Sequence, residues 1–417
     1  MWAIPGASEA TLGLVHSDEL ILPWLARLRE ELPGLALFDV HTHIGTSDPD
    51  GFSCEPEELL DALAVADSRA VVFPMHEPQG YPPANDAVLA TAAASGGRLV
   101  AFCRLDPADE PLREAERCIG AGAAGIKLHP RTERFALDHP ALADVFALAD
   151  ERRLPVIVHA GRGIPALGRH AVDLCERFTG MRLILAHAGI CDLAWIWRTA
   201  AEHPNLFFDT AWWSASDLLA LFALVRPGQV LLGSDAPYGT PTLFASLALR
   251  CARQAGLDDD QVRAVAGGQL ERLLAREAAL DLGDAPGPAA LRADPLLDRV
   301  YTFVASAIGQ MTLGVSPDEL LELATLACQV GDDAPQAAVC RWITFLLEER
   351  GRYRSPGDDG WPARFAPGLH LAVLAGGLAR TPDVPLPPAP AAGRVSRRME
   401  GADEKASFGP AGPGSAP

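Results

Sequence analysis

Positive charge is scarce in this sequence. Its 35 Lys and Arg residues stand against 54 Asp and Glu, a formal net charge of -19. DNA and anionic lipid both require a basic face, so neither a nucleic acid nor a membrane is an expected partner. Nor does any stretch approach the roughly 18 uncharged apolar residues of a membrane span. Cysteine pairs are missing as well. Cys54, Cys103, Cys118, Cys175, Cys191, Cys251, Cys328 and Cys340 fall singly, without CxxC spacing. That excludes a zinc ribbon and a small-domain disulfide framework, and it points to reduced thiols in a cytosol. The first twenty residues contain no Lys or Arg and no continuous apolar core. A secretory signal is therefore not expected, and the protein is read as cytoplasmic.

What is present is ordinary in bulk: 49% hydrophobic and 21% charged residues, as in soluble globular proteins. At 417 residues the chain can fill one barrel of roughly 250 residues and leave a segment over. A small-molecule substrate is the expected partner, with a homo-oligomer left open. The acidic total does not set the charge of a pocket, where Arg104, Lys127, His129 and Arg162 are available.

From about residue 36 to residue 255, short β-like apolar runs alternate with helical stretches. The strands are expected at Ala36–Ile44, Arg69–Pro74, Arg98–Leu105, Ala123–Leu128, Leu154–His159, Arg182–His187, Asn205–Thr210 and Gln229–Ser234. Most are continuously apolar rather than alternating, the pattern of parallel strands covered by helices. Eight such units are the number that closes a (β/α)8 barrel, giving an α/β fold of the TIM-barrel class. An open doubly wound sheet would carry a Gly-rich phosphate turn after the first strand, and here that turn holds histidines.

The expected organisation is an N-terminal extension over 1–35, the barrel over 36–280, a C-terminal α-helical segment over 290–380 and a disordered tail over 381–417. Asp258–Ala278 reads as a closing helix or helix pair, and Gly283–Gly287 as a linker. Ser316-Pro317-Asp318-Glu319 reads as a helix start, with Pro317 in the first turn. The last segment is rich in Pro, Gly, Ala and Ser, with few large apolar residues.

The chemistry lies in the histidines. Asp39-Val40-His41-Thr42-His43 closes the first strand, and residues two apart share one side of a strand. A pair of neutral imidazoles on a rigid strand is half of a site for Zn2+ or a related ion. His159 ends the fifth strand, His187 the sixth, and Gly233-Ser234-Asp235 the eighth. Barrel active sites form at the C-terminal ends of strands, so these side chains converge on one mouth as a metal site.

Taken in order, DVHTHIG at 39–45, GIKLHP at 125–130, VHAG at 158–161, LAHAG at 185–189 and GSDAP at 233–237 resemble the amidohydrolase superfamily. Within it, the chain resembles the branch that includes aminocarboxymuconate semialdehyde decarboxylase and resorcylate-type decarboxylases. Gly268–Leu274 resembles the family's closing GNAxRLL helix, with Gln269 where Asn is usual. The likeness spans about residues 36–275.

The resemblance implies His41, His43, His159 and Asp235 as ligands of one divalent metal, Zn2+ first among candidates. It implies Asp235 as the catalytic group that takes a proton from water, and His187 as a catalytic group facing the substrate. Lys127 carries alternatives. Binuclear members of the superfamily have a carboxylated lysine on strand four that bridges two metals, with His159 and His187 holding the second. Alternatively, Lys127 and His129 bind an anionic group of the substrate, or Lys127 pairs with a carboxylate. Arg104, Arg162 and Trp212 are further substrate-binding candidates, beside His76 and Trp213, because arginine forks match carboxylates. Asp209 reads as a structural acceptor near the mouth.

The expected function is metal-dependent hydrolysis of an amide, lactone or ester-like bond in a small, carboxylate-bearing molecule. Non-oxidative decarboxylation of an aromatic or unsaturated acid is the alternative, and a barrel serving only as a binding scaffold is a third reading.

Overall fold

The computed structural model describes residues 12–164, 167–353, 362 and 365–388. Eight parallel strands run β1 (Leu37–Ile44), β2 (Ser68–Pro74), β3 (Leu99–Arg104), β4 (Gly125–Leu128), β5 (Pro155–Val158), β6 (Arg182–Leu185), β7 (Leu206–Asp209) and β8 (Val230–Leu231). Each pairs with the next in sequence order. The seam between β8 and β1 closes through main-chain bonds at 2.8 Å: Val40 N–H to the Leu232 oxygen, Asp235 N–H to the His41 oxygen, and His43 N–H to the Ala236 oxygen. The architecture is the expected (β/α)8 barrel, with helices such as Pro56–Ala66, Ala143–Glu151 and Ala215–Leu224 between strands.

Strand parity sorts the core into two layers. Phe38, Val40, Val71, Phe73, Phe102, Ile157, Ile184, Phe207 and Leu231 fill the barrel interior, while Ile126, Leu128, Val156, Val158, Leu183 and Leu185 face the helices. Leu270 and Leu273, from the helix Gln269–Leu274, join the interior cluster and close it. Burying each such side chain contributes about 1.5–3 kcal/mol. The stretch expected as a closing helix or helix pair is a pair. Asp259–Arg263 and Gln269–Leu274 flank a π-helical turn, Ala264–Gly268. A Cβ at Gly267 would lie 2.9 Å from the Phe38 Cβ, so this turn sits directly on β1.

The strands stop short of the sequence expectation at the mouth. β5 ends at Val158, β6 at Leu185 and β8 at Leu231. His159, His187 and Asp235 therefore lie one, two and four residues past the ladders, on the first turns of the loops. The helix after Ser316 begins at Asp318 with Pro317 at the cap, one residue later than the sequence suggested.

The flanking segments pack on the barrel's side. Helix Leu12–Glu31 contacts helix Pro241–Gln254, and its Trp24 meets Trp342 edge-on at 4.9 Å. The C-terminal segment consists of helices Pro295–Met311, Asp318–Ala327, Ala337–Arg350 and Leu369–Arg380. Every residue from Leu369 to Ala379 is buried, against helices Pro295–Met311 and Ala337–Arg350 of the segment and against Ala215–Leu224 and Pro241–Gln254 of the barrel. The expected tail does not begin at 381. Arg250 donates from Nε to Thr381 Oγ1 (3.1 Å) and from its Nη atoms to the Thr381 and Pro385 oxygens (both 2.9 Å). These bonds fix the chain beyond the last helix. Residues 389–417 of the expected tail lie outside the described residues. Among the described residues, no helix is long and apolar enough to cross a membrane.

Candidate metal centre and active site

The first strand delivers two histidines by changing phase. Phe38 and Val40 point into the barrel, and unbroken alternation would turn His41 and His43 outward. The β1–β2 register shifts between Asp39 and Thr42, a bulge that resets the alternation. His41 and His43 then face the mouth together. The Asp39 carboxylate accepts the His41 N–H (2.9 Å) and the Ser234 N–H (3.0 Å), tying the bulge to the eighth unit.

His187 reaches the same mouth by another device. Ile184 and Ala186 point inward, so a straight continuation would send His187 away. His187 and Ala188 both adopt φ 57°, and Asp235 also has φ 57°. Left-handed non-glycine residues cost of order 1–3 kcal/mol each and persist where surroundings enforce them. Here Asp209 enforces one of them. Its Oδ1 accepts the His187 N–H (2.7 Å) and the Ala211 N–H (3.0 Å). Asp235 is held by its own N–H on the His41 oxygen. Gly161 makes room between the fifth and sixth units, since a Cβ there would lie 2.8 Å from His187 Cδ2 and 3.1 Å from His159 Cε1.

The ring tautomers follow from acceptor-only partners. His41 Nδ1 donates to Asp209 Oδ2 at 2.7 Å, and the nearest partner of His43 Nδ1 is the Pro74 oxygen at 3.4 Å. Each ring thereby turns its Nε2 toward the mouth. Both Nε2 atoms meet the same oxygen, Asp235 Oδ1, at 3.0 and 3.1 Å. Two imidazole nitrogens converging on one carboxylate oxygen form a donor set for a cation. Among the described residues, His41, His43 and Asp235 form the group whose ligand atoms lie within 4.8 Å of one another. Burial pushes His43 down to about 3, keeping the ring neutral. For His41, burial and Lys127 are outweighed by Asp235 and Asp209, which raise its pKa, so a cation at its Nε2 takes the place of a proton. For Asp235, burial is outweighed by His41 and His187, which hold the carboxylate well below its usual range. The residues present fit a divalent metal.

His159, the fourth expected ligand, stands outside that group. Its ring stacks on His129 at 4.0 Å and 11°, and its Nδ1 is 2.9 Å from His187 Nε2. His187 Nδ1 donates to the Ala211 oxygen at 2.9 Å, so its Nε2 accepts and the pair shares one proton. Burial lowers the pKa of both rings. His129 Nδ1 accepts the Thr132 N–H at 3.2 Å, which leaves its Nε2–H as the donor.

Lys127 is buried on β4, with Nζ 3.1 Å from His41 Nε2 and 4.6 Å above the Phe73 ring. Burial pushes its ammonium down to about 7, against the opposing pull of Asp235. An amine near neutrality suits either a direct contact with a substrate anion or carboxylation, so both alternatives stand on its geometry.

A cavity of about 380 Å3 opens above these groups, and Arg104, Arg162 and Trp212 are among the residues that line it. Their engagement differs. Arg104 is buried, with Nη2 on Glu133 Oε1 (2.8 Å) and Nη1 on the Pro74 oxygen (3.3 Å). Its charge is largely spent within the protein. Arg162 is exposed at the rim, 5.5 Å over the Trp213 ring, and exposed Arg131 and Arg134 join it. Trp212 donates from Nε1 to Asp217 Oδ2 (2.7 Å) and stacks with Trp213. His76 also lines the cavity, with a buried Nδ1 that has no hydrogen-bond partner among the described residues.

Some lining residues were missed by sequence reasoning. Tyr238, three residues past Asp235, lies 5.5 Å from the His43 ring and donates to Asp48 Oδ1 at 2.6 Å. Its place directly after the eighth strand was the available signal. Arg131 and Arg134 likewise follow the fourth. Phe365 comes from the C-terminal segment and packs 5.6 Å from Phe52. Strand-end logic gives no signal for it.

The sequence signature of the family described as Amidohydrolase matches residues 38–274. No curated protein matches the chain. Solved structures similar to it include an uncharacterized TIM-barrel protein from Bordetella bronchiseptica (17% identity, 58% of this chain and 99% of that chain, TM-score 0.49). A 5-carboxyvanillate decarboxylase from Sphingomonas paucimobilis is similar at 19% identity (58% and 99% covered, TM-score 0.47). A probable 2-pyrone-4,6-dicarboxylic acid hydrolase from Acinetobacter baumannii is similar at 13% (57% and 99%, TM-score 0.43).

Proposed function

This chain belongs to the amidohydrolase family, and from that membership we propose that it is a metal-dependent hydrolase of an amide, lactone or ester-like bond. The substrate is a small molecule bearing a carboxylate. One observation carries the reading: Asp235 Oδ1 faces the Nε2 atoms of both His41 and His43, at 3.0 and 3.1 Å. The same carboxylate thus borders a cation site.

His41, His43 and Asp235 would hold one divalent ion, Zn2+ in the first instance. His159 is the further candidate ligand from the sequence. Such an ion, when bound, supplies Lewis acidity and brings water toward ionisation at neutral pH. Asp235, ionised because the histidines hold it so, accepts the proton from the attacking water. Asp235 then passes that proton to the leaving group, while the neutral His187 and His159, hydrogen-bonded to each other at 2.9 Å, stand beside the oxygen that gains charge. Arg162, with Arg131 and Arg134 beside it, attracts the substrate carboxylate at the rim. His129 and Lys127 present N–H donors deeper in the cavity.

Decarboxylation is a second reading, and Lys127 favours it. Replacing a departing carboxylate requires a proton delivered to carbon, and the Lys127 ammonium, brought down to about 7 by burial beside the cavity, can deliver it.

A panel of carboxylate-bearing lactones, esters and amides, run beside aromatic and unsaturated acids on zinc-loaded protein, tests both. Ring opening or ester cleavage that is lost in Asp235→Asn supports hydrolysis. Carbon dioxide release without hydrolysis replaces it with decarboxylation. Turnover of neither by metal-loaded protein overturns both.

A further inference from the structure

The family signature ends at residue 274, yet the C-terminal helices build a second cavity against the active-site wall. It measures about 220 Å3 and lies among Trp212–Ala215 of the barrel, helix Pro295–Met311 and helix Leu369–Arg380. Arg162, Trp212 and Trp213 line both this cavity and the active-site cavity. The two spaces thus meet at one partition made of two stacked indoles and a rim guanidinium. On the far side the lining is apolar and small: Ala305, Ile308, Gly309, Val373, Gly376 and Gly377.

The helices are fixed to the partition. The Tyr301 hydroxyl lies 3.4 Å from Ser214 Oγ and accepts the Ser216 N–H at the same distance. Arg380 stacks on the Tyr301 ring at 5.4 Å and pairs with Asp298. Both tryptophans have fixed neighbours as well, through the Trp212–Asp217 bond and their mutual stacking. An apolar space kept open by anchored walls, next to a site that needs a substrate, has the properties of a side-chain pocket. Cavities of about 150 Å3 lined by apolar groups take up a benzene ring, so this one has room for a ring or a short chain.

We infer that this second cavity receives the apolar tail of the substrate, past Trp212 and Trp213, while the carboxylate stays with Arg162 at the shared rim. The C-terminal helices are then a specificity element added to the barrel. The inference rests on the proposed carboxylate-bearing substrate, and it names the rest of that molecule as an alkyl or aryl tail.

Calorimetric binding of butanoate, hexanoate and octanoate to full-length protein tests it without turnover. Wild type should tighten by about fourfold per methylene until the cavity is full. Ala305→Leu fills the cavity from helix Pro295–Met311 and should flatten that series to less than twofold per methylene. Gly309→Leu is the second variant, since a Cβ there meets nothing within 4 Å and leucine favours a helix. An unshifted thermal midpoint shows that each variant folds.

A series equally steep in both variants, or flat in wild type, overturns the inference. Monobutyl, monohexyl and monooctyl succinate, esters that keep a free carboxylate, separate it from the proposed hydrolysis. A steep binding series without ester cleavage would remove the hydrolase reading and keep the tail pocket. Cleavage independent of chain length would do the reverse.

Discussion

Asp209 Oδ2 lies 2.7 Å from His41 Nδ1, at the bottom of the candidate metal centre and fully buried. The sequence placed Asp209 only as a structural acceptor. Its two oxygens do separate work: Oδ2 orients the His41 ring, and Oδ1 holds the left-handed turn that carries His187. One carboxylate therefore sets the tautomer of a candidate ligand and the position of a catalytic candidate.

Asp209→Asn should weaken zinc binding by about 10–100-fold, the usual effect of removing a carboxylate behind a ligating histidine. The amide can still accept a hydrogen bond but no longer stabilises the imidazole it faces. Competition with a chromogenic chelator measures this directly. Affinity unchanged within twofold would show that His41 does not ligate through Nε2.

Metal stoichiometry decides the role of Lys127. With Nζ 3.1 Å from His41 Nε2 and the His41–His43–Asp235 group complete without it, one zinc per chain is expected. Lys127→Ala should keep that one equivalent while raising KM about tenfold through loss of an anion contact. Elemental analysis of dialysed protein checks the count. Two equivalents in wild type falling to one or none in the variant would establish a carboxylated bridge. Lys127 is one of only two lysines, with Lys405, so a carbamate signal from labelled bicarbonate would be simple to assign.

What could be read from the sequence follows from what strands dictate locally. Alternation and chain order brought His41, His43, His159 and Asp235 to one rim, because a barrel collects its strand ends there. The Asp39–Thr42 bulge and the φ 57° turns at His187 and Asp235 were hidden. They arise from main-chain bonds between units far apart in sequence, such as Asp235 N–H to the His41 oxygen. His159 shows the limit of strand-end logic. Its position was foreseen, but its stacking on His129 depends on two neighbouring loops. The C-terminal helices were legible as helices and not as a cavity wall. Gly377 looks like a helix breaker in sequence, yet a Cβ there would lie 2.5 Å from Leu247 Cδ1, so close packing explains it.

Glu133 and Arg104 form an ion pair at 2.8 Å with both side chains almost inaccessible. Tyr81 adds a 2.5 Å bond to the same oxygen, Glu133 Oε1. Removing one member of such a pair leaves a charge buried without a partner. Glu133→Ala should therefore lower unfolding free energy by about 3–5 kcal/mol. Denaturant titration measures the loss, and a change under 1 kcal/mol would mean that water or substrate-facing groups compensate Arg104. The same variant frees the guanidinium toward the cavity, so tighter binding of a dicarboxylate should accompany the lost stability.

The last expectation concerns pH and lies away from the site. Asp18, on helix Leu12–Glu31, is buried and accepts from Thr240 Oγ1 at 2.7 Å. Burial raises its carboxyl from 3.8 to about 7, with the bonds to Thr240 and Thr242 opposing. Between those two values the folded chain keeps a proton that the unfolded chain has released. Stability from this group thus falls as pH rises through that window, and the penalty is constant above it. Three units correspond to about 4 kcal/mol. Asp18→Asn mimics the protonated form and keeps an acceptor for Thr240. It should match wild type near pH 4 and exceed it by a few kcal/mol at pH 8, measured by urea unfolding across the range. A wild-type-minus-variant difference that does not change with pH would show that Asp18 is ionised at its ordinary pKa, with solvent reaching it between the N-terminal helix and the barrel.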